Sequence, residues 1–380
     1  MSRQKKCWLV LLVLLVFLKV QATGVAQGLN YQFGIKPAVS QATMYQQVTT
    51  AFLDWEGRYV THEGCPPGTY RVHCGEVYDF QTVSEGIGWG MLFMVLLGDG
   101  SDQSREYFDG FWRYYQHYAG PTGLMSWKIS ARGEVLGSDA ATEADENVAM
   151  ALLYAAKKWP AGEINYAQAA EGLIGKILSY EVEPRTYVLK PGTAWGGSSN
   201  INPAYFDSAY YRGWASFDKK WSRVAARAEQ TYEIFYEKYQ TGLLPDWCNI
   251  KGQPTHLSFD YTYDACQVSL KIGLDFLWYG QNKKYVDRLT KWIKKQTGND
   301  PEKIVDAYRL DGQAIGHYHN AAFVGPLAVA AMCSDRHQEW LNKLYNHLVA
   351  METGGRWGYY QDTLRLMSLI VLAGNMPLEP

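Results

Sequence analysis

The sequence has no excess of positive charge, and this argues against one large class of function. Its 36 Lys and Arg residues are matched by 38 Asp and Glu residues, and charged residues make up only 19% of the chain. Proteins that bind nucleic acids present clustered cations to the phosphate backbone. A near-neutral chain without a basic block is therefore a poor candidate for nucleic-acid binding.

Long apolar runs are missing too, except near the N-terminus. There, basic residues precede an apolar stretch, Trp8–Leu18, and small residues offer cleavage sites after Ala22 and Ala26. This stretch is too short to cross a bilayer, which takes about 20 apolar residues. We therefore predict a secretory signal peptide over residues 1–26 and a catalytic domain over residues 27–380, secreted to the periplasm or the extracellular space without a membrane anchor.

Cysteine is scarce, and its spacing fits no zinc site. Cys7 leaves with the signal, which leaves five cysteines in the mature chain. In an oxidising compartment we predict a disulfide between Cys65 and Cys74, which flank a Pro-Pro-Gly turn, and keep Cys248 and Cys266 open as a second pair. The two histidines of GHYHN read as ordinary loop residues, so we expect no metal and no cofactor.

No linker, low-complexity tract or block of like charge divides the rest of the chain, which indicates one domain. Instead, a loop with a polar residue and aromatics leads into an apolar helix, and this unit recurs at intervals of 42 to 62 residues. Amphipathic segments lie between the units. The leading polar residues are Glu85, Asp145, Asp207, Asp264, Asn320 and Asp362.

Helices that are apolar on all sides must be buried, so their alternation with amphipathic helices predicts two concentric rings. If successive inner helices run in the same direction, their polar N-terminal ends converge on one face. We therefore predict an all-α protein with the (α/α)6-barrel fold, a toroid of helical hairpins. A parallel-sheet barrel would need β-branched strands between the helices, and the sequence does not offer enough of them.

Aromatic residues are abundant, with 28 Tyr and 14 Trp. Several lie in loops near the polar helix starts, so one face of the barrel would combine carboxylates with flat aromatic rings. Such rings stack on the apolar faces of sugars, and two acids share protonation of the leaving oxygen and activation of water in glycoside hydrolysis. The loop tryptophans are Trp127, Trp195, Trp247 and Trp357.

The main competing interpretation is helix capping, because Thr82 and Thr142 each stand three residues before an acid in a capping-box pattern. Three glycines follow Glu85 in its apolar helix, where each costs about 1 kcal/mol relative to alanine. A cap needs no glycine. We therefore interpret Gly86 and Gly88 as positions that leave room for a ligand beside the carboxylate of Glu85.

Several long motifs stand in colinear order between Tyr31 and Pro377. They are TVSEGIGWGM, GLMSWKI, ATEADENVAMALLYAAKKW, NPAYFDSAYYRGWA, TGLLPDW, FDYTYDA, NAAFVGPLAVAAM and YYQDTLRLMSLIVLAGNMP. Together they resemble glycoside hydrolase family 8, above all its bacterial endoglucanase branch. The resemblance implies an (α/α)6 barrel and inverting hydrolysis of β-1,4-linked glycans. We therefore expect a monomeric, endo-acting β-1,4-glucanase (a cellulase) whose partner is a β-1,4-linked polysaccharide or oligosaccharide.

The resemblance also implies roles for individual residues. Glu85, in the SEG motif, is implied to be the proton donor. Asp264, in the YDA motif, is implied to be the base that activates water, with Tyr263 beside it. Trp127, in the WKI motif, is implied to stack on a sugar upstream of the cleaved bond, and Trp195 is implied to form another subsite.

The sequence also departs from the family's pattern. Glu143, in ATEAD, stands where the family has an aspartate that contacts the sugar at the point of cleavage, and we include it among the catalytic residues. After YDA, Gln267 replaces an arginine, and Lys271 ends a trio that differs from Pro-Trp-Arg. Loss of a cation near Asp264 would raise the pKa of this base. Further sugar contacts are predicted at Asp145 and Tyr211.

Two alternatives stay open at the level of sequence. In the first, the same chemistry acts on xylan, chitosan or lichenan, because the motifs do not specify the polymer. A glycan-binding pseudoenzyme would keep the aromatic cleft without turnover, and the departures at Glu143 and Gln267 leave this alternative open. Because both catalytic acids are present, we favour an active enzyme.

Overall fold

The computed structural model of the protein describes residues 30–98 and 102–378. The predicted signal peptide lies outside these residues. Within them, no helix is both long and apolar enough to span a membrane. In chain order the helices are α1 (Gln41–Tyr59), α2 (Ser84–Leu97), α3 (Asp102–His117), α4 (Thr142–Lys158), α5 (Tyr166–Tyr180), α6 (Ser208–Trp214), α7 (Lys220–Lys238), α8 (Val268–Tyr279), α9 (Lys283–Gln296), α10 (Ala321–Ala331), α11 (Gln338–Ala350) and α12 (Gly358–Leu372).

The even-numbered helices form an inner ring, and the odd-numbered helices form an outer one. Every residue of α10 is buried, as expected for a helix that is apolar on all sides. By contrast, α9 buries one face that includes Tyr285, Leu289 and Ile293, whereas most of its lysines are exposed. This alternation is that of an (α/α)6 barrel, and the predicted fold is confirmed.

Contacts between inner helices run around the ring. Helix α2 packs on α4, α6 on α8, α8 on α10, and α10 on α12. The hydroxyl of Tyr211 in α6 donates to Glu146 Oε1 in α4 at 2.6 Å. Gly86 in α2 lies against Tyr359 in α12. These last two contacts join α4 to α6 and α12 to α2. The inner helices therefore form a closed ring around a common core.

The glycines of α2 are explained by this close packing. A Cβ atom on Gly86 would lie 2.6 Å from the hydroxyl of Tyr359, and one on Gly88 would lie 2.9 Å from the backbone oxygen of Ala144. Protein atoms therefore occupy the space beside both glycines. The interpretation that they leave room for a ligand is wrong, because the helices themselves make the close approach.

Short antiparallel strands fix the loops at the ends of the helices. Strand β1 (Val60–Thr61) pairs with β2 (Arg71–Val72), and β4 (Lys128–Ile129) lies between β3 (Thr82–Val83) and β5 (Val135–Gly137). Strand β3 runs directly into α2. These strands therefore hold the segment that follows Trp127 beside the start of α2.

The five cysteines of the described residues are all free. The predicted disulfide between Cys65 and Cys74 is wrong, because the two thiols face different surroundings. Cys65 Sγ lies 3.7 Å from the backbone oxygen of Glu63, whereas Cys74 lines the cleft described below. Cys248 and Cys266 do not form a disulfide either, and both are buried as thiols.

Candidate active site

The N-terminal ends of the inner helices meet at one cleft of about 590 Å³. Each inner helix contributes a residue from its first turns or from the loop just before it. Of the six predicted leading residues, Glu85, Asp264 and Asn320 line the cleft, whereas Asp145, Asp207 and Asp362 do not. The residues that line the cleft carry carboxyl, amide and aromatic groups. In the order of the inner helices they include Glu85, Glu143, Tyr205, Asp264, Gln267, Asn320, Tyr359 and Tyr360.

Glu85 lies in the first turn of α2 and is not a helix cap. The N-cap residues of α2 and α4 are Val83 and Ala141, and neither helix end has a side-chain cap hydrogen bond. The capping-box interpretation is therefore wrong at both helices. Instead, the backbone N–H of Ser84 donates to the carbonyl oxygen of Trp127 at 2.9 Å, which fixes the start of α2 against the loop that carries Trp127.

The electrostatic surroundings of Glu85 favour its protonated form. The pKa of its carboxyl is raised to about 7. Burial is the largest cause, and the nearby negative charges of Glu143 and Asp264 contribute to the same rise. The phenol of Tyr205 lies beside it. At mildly acidic pH, Glu85 is thus a carboxylic acid that holds a transferable proton at the wall of the cleft.

Asp264 lies on the loop before α8, and its carboxylate is held in place. The indole N–H of Trp247 donates to Asp264 Oδ2 at 2.8 Å. Burial raises the pKa of Asp264 to about 6, with a further contribution from Asp246, whereas the bond from Trp247 lowers it. Asp264 is therefore ionised above about pH 6, where Glu85 still keeps its proton.

Asp246 supports the loop that presents Asp264. Its Oδ1 atom accepts hydrogen bonds from the backbone N–H groups of Thr262, at 3.0 Å, and Ala265, at 2.8 Å. Its Oδ2 atom accepts one from the hydroxyl of Ser258 at 2.8 Å. The sequence analysis missed this role, although the TGLLPDW motif contains both Asp246 and Trp247. The motif shows that the residues belong together but does not show what they bind.

Glu143, in the first turn of α4, forms a buried ion pair across the barrel. Its Oε1 atom lies 3.2 Å from Lys271 Nζ of α8. Its Oε2 atom lies 3.5 Å from Nε2 of Gln267, which also donates to the hydroxyl of Tyr360 at 3.1 Å. Gln267 and Lys271, which both depart from the family's pattern, thus contact Glu143, the third departure. The sequence analysis did not predict these contacts.

Aromatic side chains form the walls and the rim. Tyr263 lines the cleft and donates from its hydroxyl to Asp306 Oδ2 at 2.8 Å. Trp357 lines the same cleft with 61% of its surface exposed. Trp127 and Trp195 are also exposed, but they lie outside the residues that line this cavity. These rings offer flat surfaces on which a sugar chain can stack.

Asp145 and Tyr211 do not reach the cleft. Both are fully buried, and neither is among its lining residues. Asp145 accepts a hydrogen bond from Tyr115, and Tyr211 donates one to Glu146. This structure gives neither residue a surface that a sugar can contact, so their contacts support the helices behind the cleft instead.

Potential metal ligands lie elsewhere in the described residues. One group of three comes close together, formed by Asp287, Cys333 and His337. The carboxylate oxygens of Asp287 are engaged by Lys291 and by His337, which lie at 2.5 Å and 2.8 Å. The carboxylate of Asp287 thus already has partners, and the group contains no residue of the cleft.

Comparisons with known proteins point the same way. The model of glycosyl hydrolases family 8 matches residues 31–374. Endoglucanase A of Acetivibrio thermocellus is 37% identical over 371 residues, which cover 94% of this chain and 76% of that protein.

Solved structures agree with this match. The apo structure of a β-1,3-1,4-glucanase from Paenibacillus sp. X4 is 29% identical and matches with a TM-score of 0.86, over 92% of this chain and 98% of that one. A xylanase of the same family from Teredinibacter turnerae, a catalytic mutant solved with xylohexaose, is 22% identical and has a TM-score of 0.78, over 90% of this chain and 96% of that one. At that identity, the xylanase supports the fold alone.

Proposed function

The chain belongs to glycosyl hydrolase family 8, and from this premise we propose that it is an endo-acting enzyme that hydrolyses β-1,4-linked glucan with inversion. The observation that carries the proposal is the pair of carboxyls in one cleft, with the pKa of Glu85 raised to about 7 and that of Asp264 to about 6. Two acids whose pKa values are separated by their surroundings are what general acid and base roles require.

In this proposal, Glu85 donates its proton to the glycosidic oxygen while the bond from that oxygen to the anomeric carbon breaks. Asp264 accepts a proton from water as the water oxygen bonds to the same carbon from the opposite face. The first product from a β-linkage is then the α-anomer. Both acids have the required protonation state between about pH 6 and pH 7, which predicts a bell-shaped profile with its maximum in that range.

The choice of glucan rests on relatives and on the shape of the cleft. Endoglucanase A of Acetivibrio thermocellus is named for action within glucan chains, and it is 37% identical to this protein. The exposed ring of Trp357 and the partly exposed ring of Tyr263 suit a chain of flat sugar rings. A mixed-linkage β-1,3-1,4-glucan is the second candidate substrate, because the Paenibacillus glucanase has nearly the same fold at 29% identity.

Secretion and assignment of residues 27–380 to one catalytic domain are also part of the proposal. The basic, apolar and small-residue segments at the N-terminus support secretion. The match to the family over residues 31–374 supports one catalytic unit. Mass determination of the mature protein from a secreting host would test the cleavage sites after Ala22 and Ala26.

The release of reducing ends from soluble cellulose, mixed-linkage glucan, xylan and chitosan tests the substrate. We expect the highest rate on one of the two glucans, with a rapid fall in viscosity because cuts occur within the chain. Activity on xylan or chitosan alone would contradict the glucan assignment. Binding without turnover on all four polymers would contradict the enzyme and favour a glycan-binding protein.

A further inference from the structure

Lys271 is a buried cation next to the cleft, and the mechanism above gives it no role. Its side chain is 3% exposed, and that of its partner Glu143 is 4% exposed. The two residues come from different inner helices, α8 and α4. A buried ion pair that joins two helices needs a reason, because taking two charges out of water costs several kcal/mol per ion before their attraction offsets it.

The charges around Lys271 are all carboxyls. Burial lowers the pKa of Lys271, but Glu143, Asp207 and Glu146 outweigh this effect and raise it. Among the described residues, those that line the cleft include no Lys, Arg or His. Lys271 is thus the cation that balances Glu143 at the base of an otherwise acidic site.

The two carboxylate oxygens of Glu143 have different neighbours. Oε1 is directed at the ammonium of Lys271, 3.2 Å away, on the buried side. Oε2 is next to Gln267, and both Glu143 and Gln267 line the cleft. An ammonium that holds one oxygen fixes the direction of the other.

We propose that Lys271 is a positioning residue, whose ammonium holds Glu143 so that Oε2 meets the sugar at the point of cleavage. The inference rests on the proposed function, since it assigns Lys271 a part in the same reaction. It also predicts an effect at a distance. The charge of Glu143 lies close enough to Glu85 and Asp264 to raise the pKa values of both.

Removal of the ammonium leaves Glu143 as a buried carboxylate without a counter-charge, and such a group takes up a proton or turns away. Either change removes negative charge beside Glu85 and Asp264. Because Glu143 acts on these two acids more strongly than Lys271 does, its loss outweighs the loss of the ammonium, and the pKa values of both fall. Both limbs of the pH profile then move to lower pH. The other titratable groups that face this pair are Asp207, Glu146, Tyr205, Tyr210, Cys266, Tyr359 and Tyr360.

The experiment compares Lys271→Met, Lys271→Arg and Glu143→Gln with the wild type across the pH range. For Lys271→Met we expect a loss in kcat of about 10- to 100-fold, the size expected for a misplaced reacting group, with both pH limbs shifted to lower pH. Glu143→Gln should shift both limbs the same way. Lys271→Arg keeps the charge and should keep the limbs in place.

The double variant Lys271→Met with Glu143→Gln separates positioning from folding. It removes both charges of the ion pair, so it should fold even if Lys271→Met alone does not, and its pH limbs should match those of Glu143→Gln. Lys158→Met is a matched control, because the ammonium of Lys158 donates to the backbone oxygens of Val95 and Gly98, residues that do not line the cleft. It should leave both limbs unchanged.

A readout independent of turnover keeps this inference distinct from the proposed function. Carbon NMR titration of labelled Glu and Asp side chains gives the pKa of Glu85 directly in the wild type and in each variant. If the wild type hydrolyses no glucan, the proposed function fails, whereas the titration still tests the role of Lys271. The inference is overturned if Lys271→Met leaves both the pKa of Glu85 and kcat unchanged. It is also overturned if the pH limbs of the double variant are shifted further than those of Glu143→Gln.

Discussion

The carboxyls of the cleft and those of the outer ring are the same chemical groups in opposite surroundings. In the cleft, burial raises the pKa values of Glu85 and Asp264. On the outer ring, hydrogen bonds from Lys284 and Tyr285 hold the pKa of Glu233 below its ordinary value. Glu233 has the ammonium of Lys284 as a partner, whereas Glu85 and Asp264 have neither a Lys nor an Arg among their lining neighbours in the described residues. This contrast shows that Glu85 and Asp264, unlike Glu143, are held in the cleft without a counter-charge beside them.

The largest predicted effect is the loss of turnover when Glu85, an acid of the cleft, is replaced. Glu85→Gln keeps the shape of the side chain but removes the transferable proton. We expect turnover to fall at least about 100-fold, since a positioned acid typically contributes 10²–10⁴-fold. Oligosaccharide binding, measured by calorimetry, should persist. Glu233→Gln is the outer-ring control and should leave turnover unchanged. Near-normal hydrolysis by Glu85→Gln would mean that another group supplies the proton.

A comparable loss is expected for the base. Asp264→Asn should abolish hydrolysis while the fold is kept, because an amide cannot accept the proton from water. Proton NMR of the freshly released reducing end tests inversion in the wild type, with the α-anomer expected first. An initial β-anomer would reject inversion. Activity that survives Asp264→Asn but not Glu143→Gln would assign the base to Glu143.

The sequence predicted the fold and part of the site, but it did not predict the contacts between distant segments. The repeated apolar helices predicted the barrel, because burial on all sides leaves a strong periodic pattern. The polar helix starts predicted the face that carries the cleft, but of the six leading residues only Glu85, Asp264 and Asn320 line it. Contacts between distant segments were not predicted, such as the close approach of Gly86 to Tyr359. They depend on the distance between two helices, which leaves no local pattern.

The same limit applies to partners of the site residues. The ion pair between Glu143 and Lys271 joins residues that are 128 positions apart, and the indole of Trp247 reaches Asp264 from another loop. Asp145 and Tyr211 were predicted as sugar contacts from their motifs, yet both are fully buried. A motif identifies residues that are constrained, but burial decides whether the constraint comes from substrate or from packing.

An intermediate effect is expected at Trp247, which donates to the carboxylate of Asp264 at 2.8 Å. Trp247→Phe removes this donor and keeps an aromatic ring. Because a hydrogen bond to the charged form lowers a pKa, its loss should raise the pKa of Asp264 above about 6. The acid limb of the pH profile should therefore move to higher pH, while the basic limb, set by Glu85, stays in place. A shift of both limbs, or of neither, would show that Trp247 does not tune the base.

The smallest effects concern stability, where the two regions should respond to pH with opposite sign. The pKa of Glu85 is raised from 4.5 to about 7, so the folded state holds this proton more tightly than the unfolded chain. Its ionisation therefore costs stability as pH rises from about 4.5 through about 7. Glu85→Gln removes that cost and should stabilise the protein near about pH 8, with little change near about pH 4.

Glu233 should behave in the opposite way. Its lowered pKa means that its charge stabilises the fold above the ordinary value of 4.5, and this contribution is lost as pH falls through the folded pKa. Glu233→Gln should therefore destabilise the protein near about pH 8, by less than about 1 kcal/mol because the pair with Lys284 is exposed to solvent and screened. Urea unfolding of both variants near about pH 4 and about pH 8 measures the two signs together. The two substitutions should change the free energy of unfolding in opposite directions near about pH 8. If they change it in the same direction, ionisation of Glu85 does not destabilise the fold, and the contrast between the cleft and the outer ring does not explain the pKa values.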